Sequence, residues 1–190
     1  MTPSGRTILA LWPIATPPER PEPWPASQPL RYLQPSVDRP RFWDTSAMKR
    51  SHAWQQHGTV SLWRYLDNLR NYPGWHIGAD AAGCASMLAL LDALALDGPG
   101  ATRTLQLSPP SPAQLAVPNN RDARWDAPAT LRLTVDEDVA FWQWDVDGAR
   151  ATLRLGKAAT GALEQGVVDI AAGRGDYSVG QGDQALWFWW

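Results

Sequence analysis

Cysteine, histidine and lysine are all scarce in this chain, and each shortage removes a class of explanation. The single cysteine, Cys84, has no partner for an internal disulfide, which suits a reducing compartment. Only three histidines accompany it, His52, His57 and His76. The first two lie about 140° apart around a helix and would not share a face, so no structural zinc site is expected. Fifteen arginines stand against only two lysines, with four isoleucines and abundant Ala, Gly and Pro. That bias follows GC-rich codons and points to a bacterial source, and it weakens any functional reading of arginine richness.

Charge of one sign is also missing. The formal net charge is -2 and no block of five like charges occurs, so neither a nucleic-acid stripe nor an acidic tail is written here. No hydrophobic run approaches the roughly 20 residues of a membrane span. The segment "ILALWPIA" (8–15) is short, holds a proline and leads to no small-residue cleavage site, so a secretory signal is not expected. The chain therefore reads as cytoplasmic. Phosphate loops of Walker or Rossmann spacing, G-x-S-x-G, H-E-x-x-H and paired carboxylates on a helix face are absent as well. No cofactor and no metal is expected, and the commoner enzyme classes drop out.

What is present is proline at one end and tryptophan throughout. Ten of the seventeen prolines fall in the first forty residues. "TPPERPEPWPASQP" (16–29) should run extended, because proline fixes φ and donates no backbone hydrogen bond. Residues 1–58 are thus expected to form an arm, with one strand over 6–12, wrapped on a core of residues 59–190. At 190 residues a single domain is the default.

Within the core, "SLWRYLDNLRNY" sets Leu62, Leu66 and Leu69 at i, i+4 and i+7 and predicts a short amphipathic helix. A strand "WHIGAD" follows, and Asp80 is placed to cap a helix whose stripe includes Cys84, Met87, Leu88, Leu91, Leu94 and Ala95, stopped by Gly98-Pro99-Gly100. "TRTLQL" completes a strand-helix-strand unit. After a loop over 108–128, "ATLRLTV", "VAFWQWDV" and "ARATLRL" alternate at period two and predict a β-meander. Val139 and Phe141, opposite Trp142 and Trp144, suggest that both faces of it are partly covered. Lys157 to Ala172 reads as a third helix, weakened by Gly161 and Gly166, with a helix ending at Gly166 and a strand "VVDIA" as the competing reading. "DYSV" and "ALWFWW" read as a closing hairpin. The expected fold is α+β: one domain, a mainly antiparallel sheet, and helices packed on one face.

Twelve tryptophans invite a binding role, since indole rings dominate interface hot spots and stack on sugars and bases. Most should fill the core. In "ALWFWW", however, alternation sends Leu186, Phe188 and Trp190 one way and Trp187 and Trp189 the other, and a terminal strand cannot easily bury both. The expected binding residues are Trp187, Trp189, Asp176 and Tyr177, with Trp125 in the long loop as a second contact.

The leading expectation is a non-enzymatic protein-binding domain, of the kind found in immunity or antitoxin-type inhibitors or in adaptors. Its partner would be another protein, a toxin or a second copy of the chain, and neither nucleic acid nor membrane. Two alternatives remain open. One is a tryptophan-platform binder of carbohydrate or a small molecule. The other is a cysteine-dependent enzyme in which Cys84, early in a helix, is served by His76 and Asp80.

Overall fold

The computed structural model describes residues 49–67, 72–116, 120 and 122–190. The strand expected over 6–12 and the proline-rich stretch over 16–29 lie outside the described residues. Along the chain the elements run α1 (Arg50–Ala53), β1 (Val60–Tyr65), β2 (Trp75–Ala79), α2 (Ala81–Asp97), β3 (Thr102–Gln106), β4 (Trp125–Asp126), β5 (Thr130–Val135), β6 (Trp142–Asp147), β7 (Arg150–Leu155), α3 (Lys157–Ala171), β8 (Tyr177–Val179) and β9 (Leu186–Trp189). A 3-10 turn at Gly182–Gln184 leads into β9.

The fold is α+β, built on two sheets. The first has the order β4-β1-β2-β9-β8, the second β3-β5-β7-β6. All strand pairs are antiparallel except β2 with β9 and β5 with β7. Helices α2 and α3 pack on each other and touch both sheets. One hydrophobic cluster joins Val60, Leu62, Ile77 and Phe188 of the first sheet to Leu105, Leu133 and Leu153 of the second, through Met87, Leu91 and Val167 of the helices. The strand-helix-strand unit forms, but β2 and β3 belong to different sheets, so α2 carries the chain from one to the other.

The two long helices form where periodicity and caps place them. Asp80 accepts from the Gly83 N–H at 2.6 Å, satisfying one of the free donors of the first turn of α2. Gly98, at φ 77°, ends that helix with its N–H bonded to Leu94 O, a conformation that glycine adopts without steric cost. The described part of the expected arm, residues 49–58, is strapped to α2 and the edge of β3. The Asp97 carboxylate accepts from Arg50 N and Ser51 N, the Trp54 indole donates to Ser86 O, and Gln56 bonds the Gln106 backbone in both directions.

Three expectations are corrected. "SLWRY" lies in the strand β1 and not in a helix. Val60 and Leu62 are buried on one face while Trp63 and Tyr65 are buried on the other, so the alternation that marks a strand is erased, and the leucine spacing that suggested a helix includes Leu66, which is exposed.

The meander strands all form, but β7 inserts between β5 and β6. The tight turn at Gly148-Ala149, one residue beyond the expected Asp147-Gly148 dipeptide, makes β6 and β7 a hairpin. The longer connection 136–141 crosses the start of α3, where Ala158 N bonds Val139 O and Gly156 N bonds Phe141 O. A Cβ on Gly156 would strike the Asp138 carbonyl.

Val139 and Phe141 precede β6; Val139 is exposed, and of the second sheet's outer face, which carries Thr104, Arg132, Thr152, Arg154 and Asp145, Phe141 covers only Arg154. The Arg154 guanidinium lies over the Phe141 ring at 4.8 Å.

Candidate functional site

Register sets the chemistry of the first sheet's outer face. Trp63 lies opposite His76 on β1 and β2, His76 opposite Trp187, and Gly78 opposite Trp189 on β9. These side chains therefore project away from the helices, while Leu62, Ile77 and Phe188 project toward them. The outward face is aromatic and centred on a histidine.

His76 is fully buried. Its ring lies near-parallel to Trp63, with centroids 5.4 Å apart and planes at 21°, and nearly coplanar with Trp189, edge to edge, at 5.9 Å and 17°. The Trp189 indole donates to Nδ1 at 2.8 Å, and Nε2 lies 3.1 Å from Tyr72 O. An indole N–H can only donate, so Nδ1 must accept and the proton must sit on Nε2, donating to the carbonyl. Burial pushes the pKa of this neutral imidazole down to about 4, against a smaller upward pull from the Tyr72 carbonyl.

Two segments close over this face. Tyr72 sets its ring edge-on to Trp187 at 4.8 Å and to Trp189 at 5.4 Å, and the Trp187 indole donates to Pro73 O. Residues 109–116 cross beside it: Ser61 Oγ donates to Pro109 O, Tyr65 Oη reaches Leu115 O at 3.5 Å, and Gln114 lies where a Cβ on Gly78 would be.

Between the two segments opens a groove of about 290 Å³, lined by Tyr72, Gln114, Asp176, Trp189 and Trp190 with Ala113 and Ala116. On the other side of 109–116 a neighbouring hollow is lined by Tyr65, Leu115, Asp122 and Trp125. Non-glycine residues at positive φ are costly, by about 1–2 kcal/mol each. Three are found among the described residues, Tyr72 at 56°, Asp122 at 68° and Asp176 at 72°. All three line these two hollows. Strain of this kind gathers where structure serves function.

Comparison with known proteins brings no match: no family model, no curated protein and no solved structure matches the chain. The site must be read from its own residues.

The structure brings Trp189 and Asp176 together, with Trp187 behind them holding the 72–74 segment. Tyr177 stands apart: its hydroxyl donates to Asp169 Oδ2 at 2.8 Å and its ring packs on Phe188. Burial and the Asp169 carboxylate push that phenol up to about 12. Trp125 is 40% exposed and pairs with Tyr65, placing it on the rim of the second hollow. Trp190, expected to point inward, does not; β9 ends at Trp189, and the Trp190 ring lies over Gly175, where a Cβ would press on it. It is 63% exposed. Tyr72 and Gln114 were missed, because only the tertiary fold carries them to β9.

His76, Asp80 and Cys84 do not form a catalytic group. Cys84 faces the core on α2, its Sγ 4.0 Å from Ala79 O, whereas His76 is on the outer face with both ring nitrogens engaged. Burial and then the Asp80 charge push the thiol up, the reverse of what a nucleophile needs. Asp80 is spent on Gly83 N, Thr59 N and Thr59 Oγ1, which hold its carboxyl below the usual range. Cys84 is expected to react with a thiol reagent only as fast as the protein unfolds, and rapid modification of the native protein at pH 8 would refute this placement.

A larger cavity, about 470 Å³, lies beside the end of α2 and the start of α3, with Pro99, Val135, Val139, Lys157 and Glu164 in its lining. Burial and the nearby Asp92 push Glu164 up. It holds neither an aromatic ring nor a strained residue. Among the described residues no group of three or more His, Cys, Asp or Glu is arranged to hold a metal ion, and no helix is long and apolar enough to cross a membrane.

Proposed function

We propose that this chain is a cytoplasmic bacterial protein-binding module that docks a partner protein on the outer face of its first sheet, as a toxin inhibitor or adaptor would. The observation that carries the reading is the groove walled by Tyr72, Trp189 and the exposed Trp190. Aromatic anchors beside small, well-shaped pockets are the usual centre of protein interfaces. A volume of about 290 Å³ sits at the lower end of the roughly 300–1,000 Å³ of small-molecule sites. It suits one inserted side chain better than a cofactor. A sugar platform is less well supported: Tyr72 and Trp189 stand at 75°, so the two rings offer no flat floor.

The test is a pull-down with the full chain, identification of the captured protein, and reconstitution of the purified pair. Trp190→Ala should weaken the pair about 30-fold, the roughly 2 kcal/mol of a hot spot, with the fold intact because the ring is mostly outside the core. A reconstituted partner that binds wild type and Trp190→Ala equally, or a chain that binds nothing, would overturn the proposal.

A further inference from the structure

From the docking reading just given, we infer that the groove is a cage for a cation, and that the partner fills it with an arginine side chain. Tyr72 and Trp189, with ring centroids 5.4 Å apart and planes at 75°, form a corner. Trp190 adds a third wall: among the described residues its ring makes no aromatic contact, and it is exposed while resting on Gly175. Aromatic faces carry negative potential and attract cations within about 6 Å. The fourth wall is acidic. Asp176 lines the same groove and is exposed, and no described cation is paired with its carboxylate.

The cation nearest to it in sequence is already committed. The Arg174 guanidinium lies 2.6 Å from Asp169 Oδ1, and Asp169 also accepts from Gln165 and Tyr177. Asp176 is held in place by its backbone: its N–H bonds Phe188 O at 3.0 Å while φ stays at 72°. Tyr72, the other strained residue of this groove, is anchored through its carbonyl by His76. The fold therefore spends conformational energy on both an aromatic and an acidic wall. Three aromatic residues and one aspartate line a space this small, a set that matches a planar, weakly hydrated guanidinium, which stacks on aromatic rings and offers a donor fork to a carboxylate. Arginine is also enriched at interfaces while lysine is depleted.

The probes are Nα-acetyl-arginine amide, its neutral isostere Nα-acetyl-citrulline amide, and Nα-acetyl-lysine amide. Each is titrated into the full chain while the indole N–H resonances of Trp189 and Trp190 are followed by NMR. The arginine probe should shift both resonances and bind at least tenfold more tightly than the citrulline probe. Asp176→Asn should erase that preference; asparagine tolerates positive φ as well as aspartate does, so the loop geometry is kept.

Equal binding of arginine and citrulline, or an unchanged preference in Asp176→Asn, would overturn the cation assignment, and a preference for lysine would overturn the arginine assignment. The docking proposal fails separately. If a reconstituted partner depends on Trp190 but not on Asp176, docking stands and the cage falls. If it depends on neither, docking itself falls.

Discussion

Gly166→Ala is expected to destabilise the protein by about 1–2 kcal/mol, although alanine is the better helix former. Alanine should gain about 1 kcal/mol of helix propensity at a mid-helix position. At Gly166, however, a Cβ would overlap the ring of Phe188, which is itself fully buried in β9. An aromatic ring locked in a core cannot swing aside, and overpacking of this kind costs typically 1–3 kcal/mol and sometimes more. The close approach of α3 to β9 is therefore made possible by the missing side chain.

Gly161, one and a half turns earlier on the same helix, has nothing within 4 Å of its Cβ position. Gly161→Ala should instead stabilise by about 0.5–1 kcal/mol. With a melting shift of about 2–4 °C per kcal/mol for a chain of this size, Gly166→Ala should lower Tm by about 2–8 °C and Gly161→Ala should raise it by about 1–4 °C. Equal shifts of the same sign would mean that α3 does not pack on Phe188 as described.

The same pair of glycines shows what was legible in the chain. Both read as flaws in a helix, and local propensity has no way to separate the one that opens on solvent from the one that seats an aromatic ring. Helix α2 was legible because its signals are local: a capping aspartate at Asp80, an apolar stripe, and Gly98 at the end. The β8–β9 hairpin was legible too, along with the division of Leu186 and Phe188 from Trp187 and Trp189, since alternation within a short strand needs no tertiary information.

Strand β1 was not, because burial on both faces removes the very pattern that identifies a strand. The order of β5, β7 and β6 was not either; it depends on the path of residues 136–141 over the start of α3, which is a long-range fact. The site was half visible. Alternation flagged Trp189, and Asp176 was named beside it, but the bond that fixes Trp189 joins residues 113 apart in sequence. Nothing near Tyr72 announces that its carbonyl will hold a histidine.

That bond sets the second large effect, which is a loss of stability in mild acid. Unfolded, His76 has its ordinary pKa of 6.5; folded, burial holds it at about 4. Above pH 6.5 both states carry a neutral ring and the group has no pH effect. As pH falls from 6.5 toward 4 the unfolded chain takes up a proton that the folded protein refuses, so stability drops by about 1.4 kcal/mol per pH unit, about 3 kcal/mol over the interval. Below pH 4 the contribution of this group levels off. The structural reason is specific: a second ring proton would sit on Nδ1 and face the Trp189 indole N–H, donor against donor.

Asp80, Asp97, Asp136 and Asp169 have carboxyls held below their usual range. They lose their contributions only as pH falls below about 4, so they leave this window clear. Glu164, pushed up by burial, takes a proton more readily when folded and offsets part of the loss at the acid end. His76→Gln isolates the histidine, because an amide can accept from Trp189 and donate to Tyr72 without titrating. Urea denaturation followed by tryptophan fluorescence should show wild type losing about 2–3 kcal/mol between pH 7 and pH 4.5. His76→Gln, less stable at pH 7, should be nearly flat over the same range. Parallel profiles for the two proteins would show that the ring is not the neutral acceptor at the centre of this face. The orientation of Trp189 toward the groove would then need another cause.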